Sequence, residues 1–437
     1  MKTTIKTFCG LLAMLAFTAC SSNTDEAVNA PQFWHVTLTA SMGDADTRAL
    51  SEGANNIINA SFEANDEVVV VDADGTTIVG TLTAQSAGKS TILTGDLNST
   101  SLVVDEVVTL RYRSATANYD GQKGTLAGIA TDQDYAEGAL TVSTTNPLAF
   151  KSNHVSLAAK QSITKFSFTD GTNAVSVKTF GIAAVGLVQS IAADAISTET
   201  VGAVTGTLTT PSSDVYVALR NNSGEKQTYS FYVKDDAGNW YTGTKKANLA
   251  YGKNYTASVT LTKLEGLTNT SDVGTVGVVG GLPAIVVEIN SVKKAVALMN
   301  AGALCPEAYG TYYTFDNRAS GLSNGWYVPT KDELFVGANN EATGGLAKIS
   351  NSWGTQNGVY GRTFTITEGK TLFLPAAGYY ENGNSLLAVS TDGYYWSSTP
   401  VENSDLAIYL DVDNTGAVTS SQAKVDGLTV RPFHALQ

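Results

Sequence analysis

Few residues in this chain are of a kind and spacing that could do catalysis. The three histidines, His35, His154 and His434, lie in different regions, and of the three cysteines only Cys305 falls in the folded part. One thiol and scattered imidazoles make no zinc cluster and no Cys/His dyad at recognisable spacing. No nucleophile elbow, phosphate-binding glycine loop or Walker-like segment occurs. No catalytic residue, cofactor or metal is therefore expected. Asp411-Val412-Asp413-Asn414 does offer hard oxygen ligands of the kind calcium takes. Strand alternation sends Asp411 and Asp413 together to a solvated face beside a turn, so a soluble hairpin tip is the expectation. Cys305 reads as a small buried hydrophobe.

What remains is binding chemistry. Three of the five tryptophans, Trp326, Trp353 and Trp396, fall near the C-terminus together with many tyrosines. Sugar rings present apolar C–H faces that stack on aromatics, while Asn, Asp and Ser groups satisfy hydroxyls. Gly393–Thr399 reads Gly-Tyr-Tyr-Trp-Ser-Ser-Thr; as a strand it points Tyr394 and Trp396 one way and Tyr395 the other. A domain of ~150 residues needs large side chains for its core, and Trp326 and Trp396 are expected there. Trp353, within the polar stretch Asn351–Gly358, is expected in an exposed loop and is the better ligand candidate. Tyr380 and the amides Asn382 and Asn384, in the turn that follows it, join it as candidates.

These residues need a scaffold, and composition says which kind. A chain of 437 residues accommodates about three domains. With 43% hydrophobic and 15% charged residues, 41 glycines and many Ser, Thr, Asn and Val, it reads as an all-β surface protein. The formal charge of −13 offers no basic stripe for phosphates, which argues against a nucleic-acid partner. Lys2 and Lys6 precede the apolar run Phe8–Ala19, a targeting segment too short to span a bilayer.

Along the chain, Trp34–Ala40 alternates as a strand, followed by a polar loop carrying Arg48. Val68–Val71, Val108–Tyr112, Ile163–Phe168, Val215–Leu219 and Tyr255–Thr262 read as further strands, and Tyr119–Leu126 as a turn entering another. No helix-period stretch of useful length appears between 34 and 264, so two successive β-sandwiches are expected, at 34–150 and 151–264. Glu265–Gly281 reads as a linker. In the remainder, 282–437, a helix is expected over Asn290–Asn300, with Val292, Ala295, Val296 and Met299 on one face. A second starts at Thr330, which forms a capping box with Glu333. Leu428, Val430 and Pro432 mark a terminal strand opposite Thr429 and Arg431. Two helices on a small mixed sheet make that domain α+β.

Three resemblances add to this. Phe17-Thr18-Ala19-Cys20 resembles the lipobox of bacterial lipoproteins, which implies a signal peptide over 1–19, lipidation at Cys20 and an acidic, polar tether over 20–33. Ser61–Val68, Tyr119–Leu126, His154–Phe168 and Gly252-Lys253-Asn254-Tyr255 resemble the fimbrillin family, the pilin-like lipoproteins of Bacteroidota type V pili. That likeness implies assembly with other pilus subunits by donor-strand exchange, after an arginine-specific protease removes the first strand; Arg48 matches such a processing site. Gly325–Leu334, Phe373–Tyr379, Gly393–Thr399 and Gly427–Pro432, in this order, resemble the Fibrobacter succinogenes major paralogous domain family, with its C-type-lectin-like fold. The expected whole is a surface adhesin at the outer membrane, held there by an N-terminal lipid. It would be the tip subunit of a pilus, binding a glycan or a surface protein through its C-terminal domain. The alternative is a non-pilus outer-membrane lipoprotein that binds glycans. The formylglycine-generating enzymes share the lectin-like fold but rely on paired cysteines, which Cys305 alone does not supply.

Overall fold

The structure, a computed structural model, describes residues 32–43, 51–52, 58–59, 61–112, 115–194, 197–338 and 341–437. It is mainly β. The first strand, Phe33–Met42, buries Val36, Leu38, Ala40 and Met42 and exposes Phe33, His35, Thr37 and Thr39, the alternation legible in its sequence. It pairs antiparallel with Ser90–Asn98, from Phe33↔Asn98 to Ser41↔Ser90. On its other edge it runs parallel to His154–Ala159, from Thr39↔His154 to Met42↔Leu157. From Ser90–Asn98 the sheet continues through Ile78–Ala84 and Glu67–Val71 to Val107–Tyr112. Val107–Tyr112 pairs with Ala136–Thr145, which also borders His154–Ala159. The hydrogen bonding therefore runs round the first unit without a break, which leaves few strand edges unpaired. At the corner, a Cβ on Gly138 would lie 2.6 Å from Val155 and 2.7 Å from the Ser156 carbonyl, so only glycine lets the sheet fold over on itself.

The second unit has two sheets. One contains Leu187–Ile191, Asp214–Asn221, Ser162–Thr169 and Asn254–Thr260; the other contains Val204–Ser212, Val177–Ala183, Gln227–Asp235 and Trp240–Ala247. Phe166, Phe168, Phe180 and Phe231 fill the space between them, with Phe166 and Phe231 edge-on at 5.1 Å. Ala117, Tyr119, Ile129 and Tyr135 belong to this second core as well. The chain thus crosses into the second unit near 117, returns to the first for Ala136–Ala159, and crosses again. The expected single crossing at 150/151 does not follow the packing. Within the excursion, Leu126–Asp132 is a helix where a strand was expected. The Thr125 hydroxyl caps it by accepting from the Gly128 N–H at 3.1 Å, and Gly128, Ile129 and Ala130 are buried.

The stretch read as a linker is the first strand of the C-terminal unit. Val276–Val279 pairs with Leu282–Ile289, and the backbone N–H of Leu267 donates to Val278. The helix expected over Asn290–Asn300 is instead the strand Val292–Ala297, paired with Leu282–Ile289 and Phe433–Ala435. Asn290 and Ser291 have φ of 51° and 64°, the two-residue turn geometry whose twist returns a strand antiparallel. Ala295, Val296 and Ala297 are buried in succession because both faces of this central strand are covered. The Thr330–Glu333 capping box forms as expected, although the helix it starts is only Lys331–Leu334. Among the described residues it is the one α-helix of this unit. The terminal strand is Phe433–Ala435, and Leu428, Thr429, Val430 and Arg431 before it are all buried. That segment threads between neighbours on two sides, so its alternation does not separate core from solvent.

Candidate functional site

The first strand lies in the wall of its unit. Taking it away would strip the backbone partners from Ser90–Asn98 and His154–Ala159. It would also empty the inward positions of Val36, Leu38 and Met42, each contributing about 1.5–3 kcal/mol by burial. What is left is a groove with a fixed reading frame: apolar at alternate positions, and small where fully buried Ala40 now sits. Arg48, the processing candidate, and Cys20, the lipidation candidate, lie outside the described residues.

In the C-terminal unit, Gly393–Pro400 is a strand with both faces covered. Trp396 is fully buried, its indole N–H donates to the Tyr313 carbonyl at 2.7 Å, and it meets Phe315 edge-on at 5.4 Å. Tyr395 points to the other face, where its hydroxyl donates to the Pro375 carbonyl at 2.6 Å. Arg431 is fully buried; it donates to the carbonyls of Ala297 (2.9 Å) and Phe373 (3.0 Å), and burial pulls its pKa down to about 10. The aromatics of this signature build the scaffold.

The four candidate ligand residues fall in two places. Trp353 lies on the strand Asn351–Gln356, half-buried, rather than in a loop. Asn357-Gly358, with φ of 50° and 86°, is the hairpin turn after it, and that dipeptide is the signal missed in the sequence. The returning strand carries Tyr360 diagonally across from Trp353, with the rings stacked at 6.4 Å. Tyr380 sits in the first arm of the hairpin Tyr379–Glu381 / Ser385–Leu387 and meets Tyr312 edge-on at 5.0 Å. Asn382 and Asn384 are exposed in its turn; the Asn382 N–H donates to the Asp426 carboxylate at 2.8 Å. Tyr312 and Tyr360 were not candidates in the sequence: Tyr360 reaches Trp353 through its hairpin, and Tyr312 reaches Tyr380 through the bridges of Tyr313 to Leu428 and of Tyr380 to Gly427.

Two carboxyls with a buried oxygen stand out. Glu307 accepts from the side-chain amides of Gln356 (2.9 Å) and Asn357 (2.7 Å), while its second oxygen has no partner; burial raises its pKa. Next to it, Cys305 is buried with Ala183, Ala203 and Ala308, and its thiol pKa is pushed up by burial and then by Glu307. A thiol held protonated in this way presents little of the thiolate that reacts. Asp411, expected on a wet face, has a buried oxygen without a partner among the described residues. Burial, then the charges of Asp392 and Asp413, push its pKa to about 7. Asp413 serves its own turn, accepting from the N–H groups of Thr415 and Gly416 at 2.8 Å. No group of three or more metal-ligating side chains occurs among the described residues. Nor is any helix among them long and apolar enough to cross a membrane.

With this geometry in view, comparisons with known proteins give the following. A family model described as a domain of unknown function (DUF8237) matches residues 349–433. No curated protein sequence matches the chain. The chain is similar to a solved structure from Bacteroides ovatus ATCC 8483 described as a "putative cell adhesion protein", with 15% identity over 54% of this chain and 97% of that one, at a TM-score of 0.31. A fimbrial assembly protein from Parabacteroides distasonis ATCC 8503 aligns at 12% identity over 52% and 92%, with a TM-score of 0.28. A shaft pilin from Lactobacillus rhamnosus GG aligns at 11% identity over 54% and 100%, with a TM-score of 0.25.

Proposed function

We propose that this chain is a cell-surface adhesin that enters a pilus by strand exchange and binds a ligand through its C-terminal, lectin-like unit. The observation that carries the reading is the position of the first strand. It is a wall strand with a strict in–out pattern, and Arg48 follows six residues after Met42. Cleavage after Arg48 would free a strand whose departure leaves backbone edges and apolar holes that only another strand can fill. The lipobox-like Cys20 fits export as a lipid-anchored precursor.

The slot is tested directly with the purified chain cut by an arginine-specific protease. A labelled peptide of the Phe33–Met42 sequence should enter the nicked protein and remain bound through a urea wash. A variant peptide with Asp at the Leu38 position should be refused. Equal retention of both peptides, or of neither, would contradict an exchangeable strand.

A further inference from the structure

We propose that the cleft between the second unit and the C-terminal unit is a binding site for one neutral sugar residue. This deepens the reading of the C-terminal unit as the ligand-binding part and rests on that reading alone, not on strand exchange. The cleft has a volume of about 310 Å³, with Asp120, Gln189 and Thr205 on one wall and Tyr309, Tyr312 and Leu386 on the other. Ligand sites favour such junctions between units and run from about 300 to 1,000 Å³, so this one suits a single ring rather than a chain of them.

Each wall supplies half of what a sugar requires. Asp120 is held in place through one oxygen, which accepts from the Thr205 N–H at 2.9 Å and the Thr205 hydroxyl at 2.6 Å. Among the described residues its other oxygen receives only the Gln189 amide, at 3.3 Å. A carboxylate has about four acceptor positions, so this second oxygen keeps capacity for a hydroxyl donor. Among the described residues no lysine or arginine lines the cleft, which leaves an anionic sugar without a counter-charge beside Asp120. Opposite, the Tyr312 hydroxyl donates to the Ala377 carbonyl and its ring is braced by Tyr380, so it is a fixed aromatic body beside the cavity. Tyr380, Asn382 and Asn384 thus belong to the surroundings of this cleft: their hairpin also carries Leu386, which is 40% exposed.

Both walls are fixed before any ligand arrives. The loop bearing Tyr309 and Tyr312 is closed by the Thr311 N–H donating to the Ala301 carbonyl (2.9 Å) and the Asn300 amide donating to the Tyr309 carbonyl (2.9 Å). It docks on the second unit so closely that a Cβ on Gly181 would lie 2.6 Å from the Leu304 carbonyl. The site is thus composite, and residues 282–437 alone would lack its hydrogen-bonding wall.

The test is saturation-transfer NMR on the full chain with the methyl glycosides of glucose, galactose, mannose and N-acetylglucosamine, and methyl glucuronide as the anionic comparison. At least one neutral glycoside should receive saturation, and the glucuronide should not. Thr311→Trp, which fills the cleft from an exposed position, should abolish the signal. Asp120→Asn, which keeps an oxygen for Thr205, should weaken binding by about tenfold or more. Silence from all four neutral glycosides overturns the proposal. A glycoside that binds Thr311→Trp as well as the unmodified chain also overturns it. If that binding is lost in Trp353→Ala, the ligand site moves to the Trp353–Tyr360 pair, and the adhesin reading survives without the cleft.

Discussion

Asp411 carries a buried carboxyl oxygen that no donor among the described residues reaches, and its pKa of about 7 is a statement about stability. An acid whose pKa is raised in the folded state binds more protons folded than unfolded at intermediate pH. The stability it gives is complete below the unfolded value near ~3.9 and is lost as pH rises through the folded value of about 7. Thermal melting followed from pH 5 to pH 8 should therefore show falling stability, and Asp411→Asn should flatten that slope while stabilising the protein at pH 8. An unchanged slope in the variant would mean Asp411 is ionised and solvated after all. Arg431 makes the opposite case, a buried charge whose partners are backbone carbonyls. Arg431→Ala leaves the Ala297 and Phe373 carbonyls unpaired in the core, and should cost about 3–5 kcal/mol in urea denaturation. Arg431→Lys should recover little of this, since one ammonium cannot replace a planar fork that reaches two carbonyls.

Among the elements, those whose register one face dictates were the legible ones. Phe33–Met42 alternates with one wet face, so its pattern announced both the strand and its inward set. Thr330 and Glu333 announced their cap because the capping box is a local chemistry that needs no tertiary context. Val292–Ala297 was misread because a strand covered on both faces loses its alternation, and its apolar positions then also fit a helical stripe. The discriminating signal was the turn before it. Ser291 holds φ of 64° without a side-chain role, so Ser291→Gly should stabilise the protein by about 1 kcal/mol. Asn290→Gly should destabilise it despite the same backbone conformation. Its side chain donates to the Asp332 carbonyl at 3.0 Å and accepts from the Gly345 N–H at 2.8 Å. Chemical denaturation of the two variants side by side distinguishes turn from helix, since glycine at both positions would weaken a helix alike.

At the scale of the whole molecule, the seams between the packed units are set by pairing that composition does not record. Residues 117–135 pack in the second core and 136–159 in the first, an interleaving set by long-range pairing that no local pattern records. The expected linker is a strand, and the Trp240 indole bonds the Gly281 carbonyl at 2.9 Å, so the second unit and the C-terminal unit meet without a free tether. The aromatic candidates were legible as residue types, but the Trp353–Tyr360 pair needs its hairpin to close, and the Tyr312–Tyr380 pair needs Tyr313 and Tyr380 to bond to Leu428 and Gly427. For the proposed role in a pilus, everything turns on the fate of the first strand. The most direct measurement is the intact mass and N-terminal sequence of the protein sheared from the surface of cells that produce it. Strand exchange predicts a chain beginning at Ala49, recovered in assemblies with other subunits. A chain that retains Phe33–Met42 in such assemblies would contradict it.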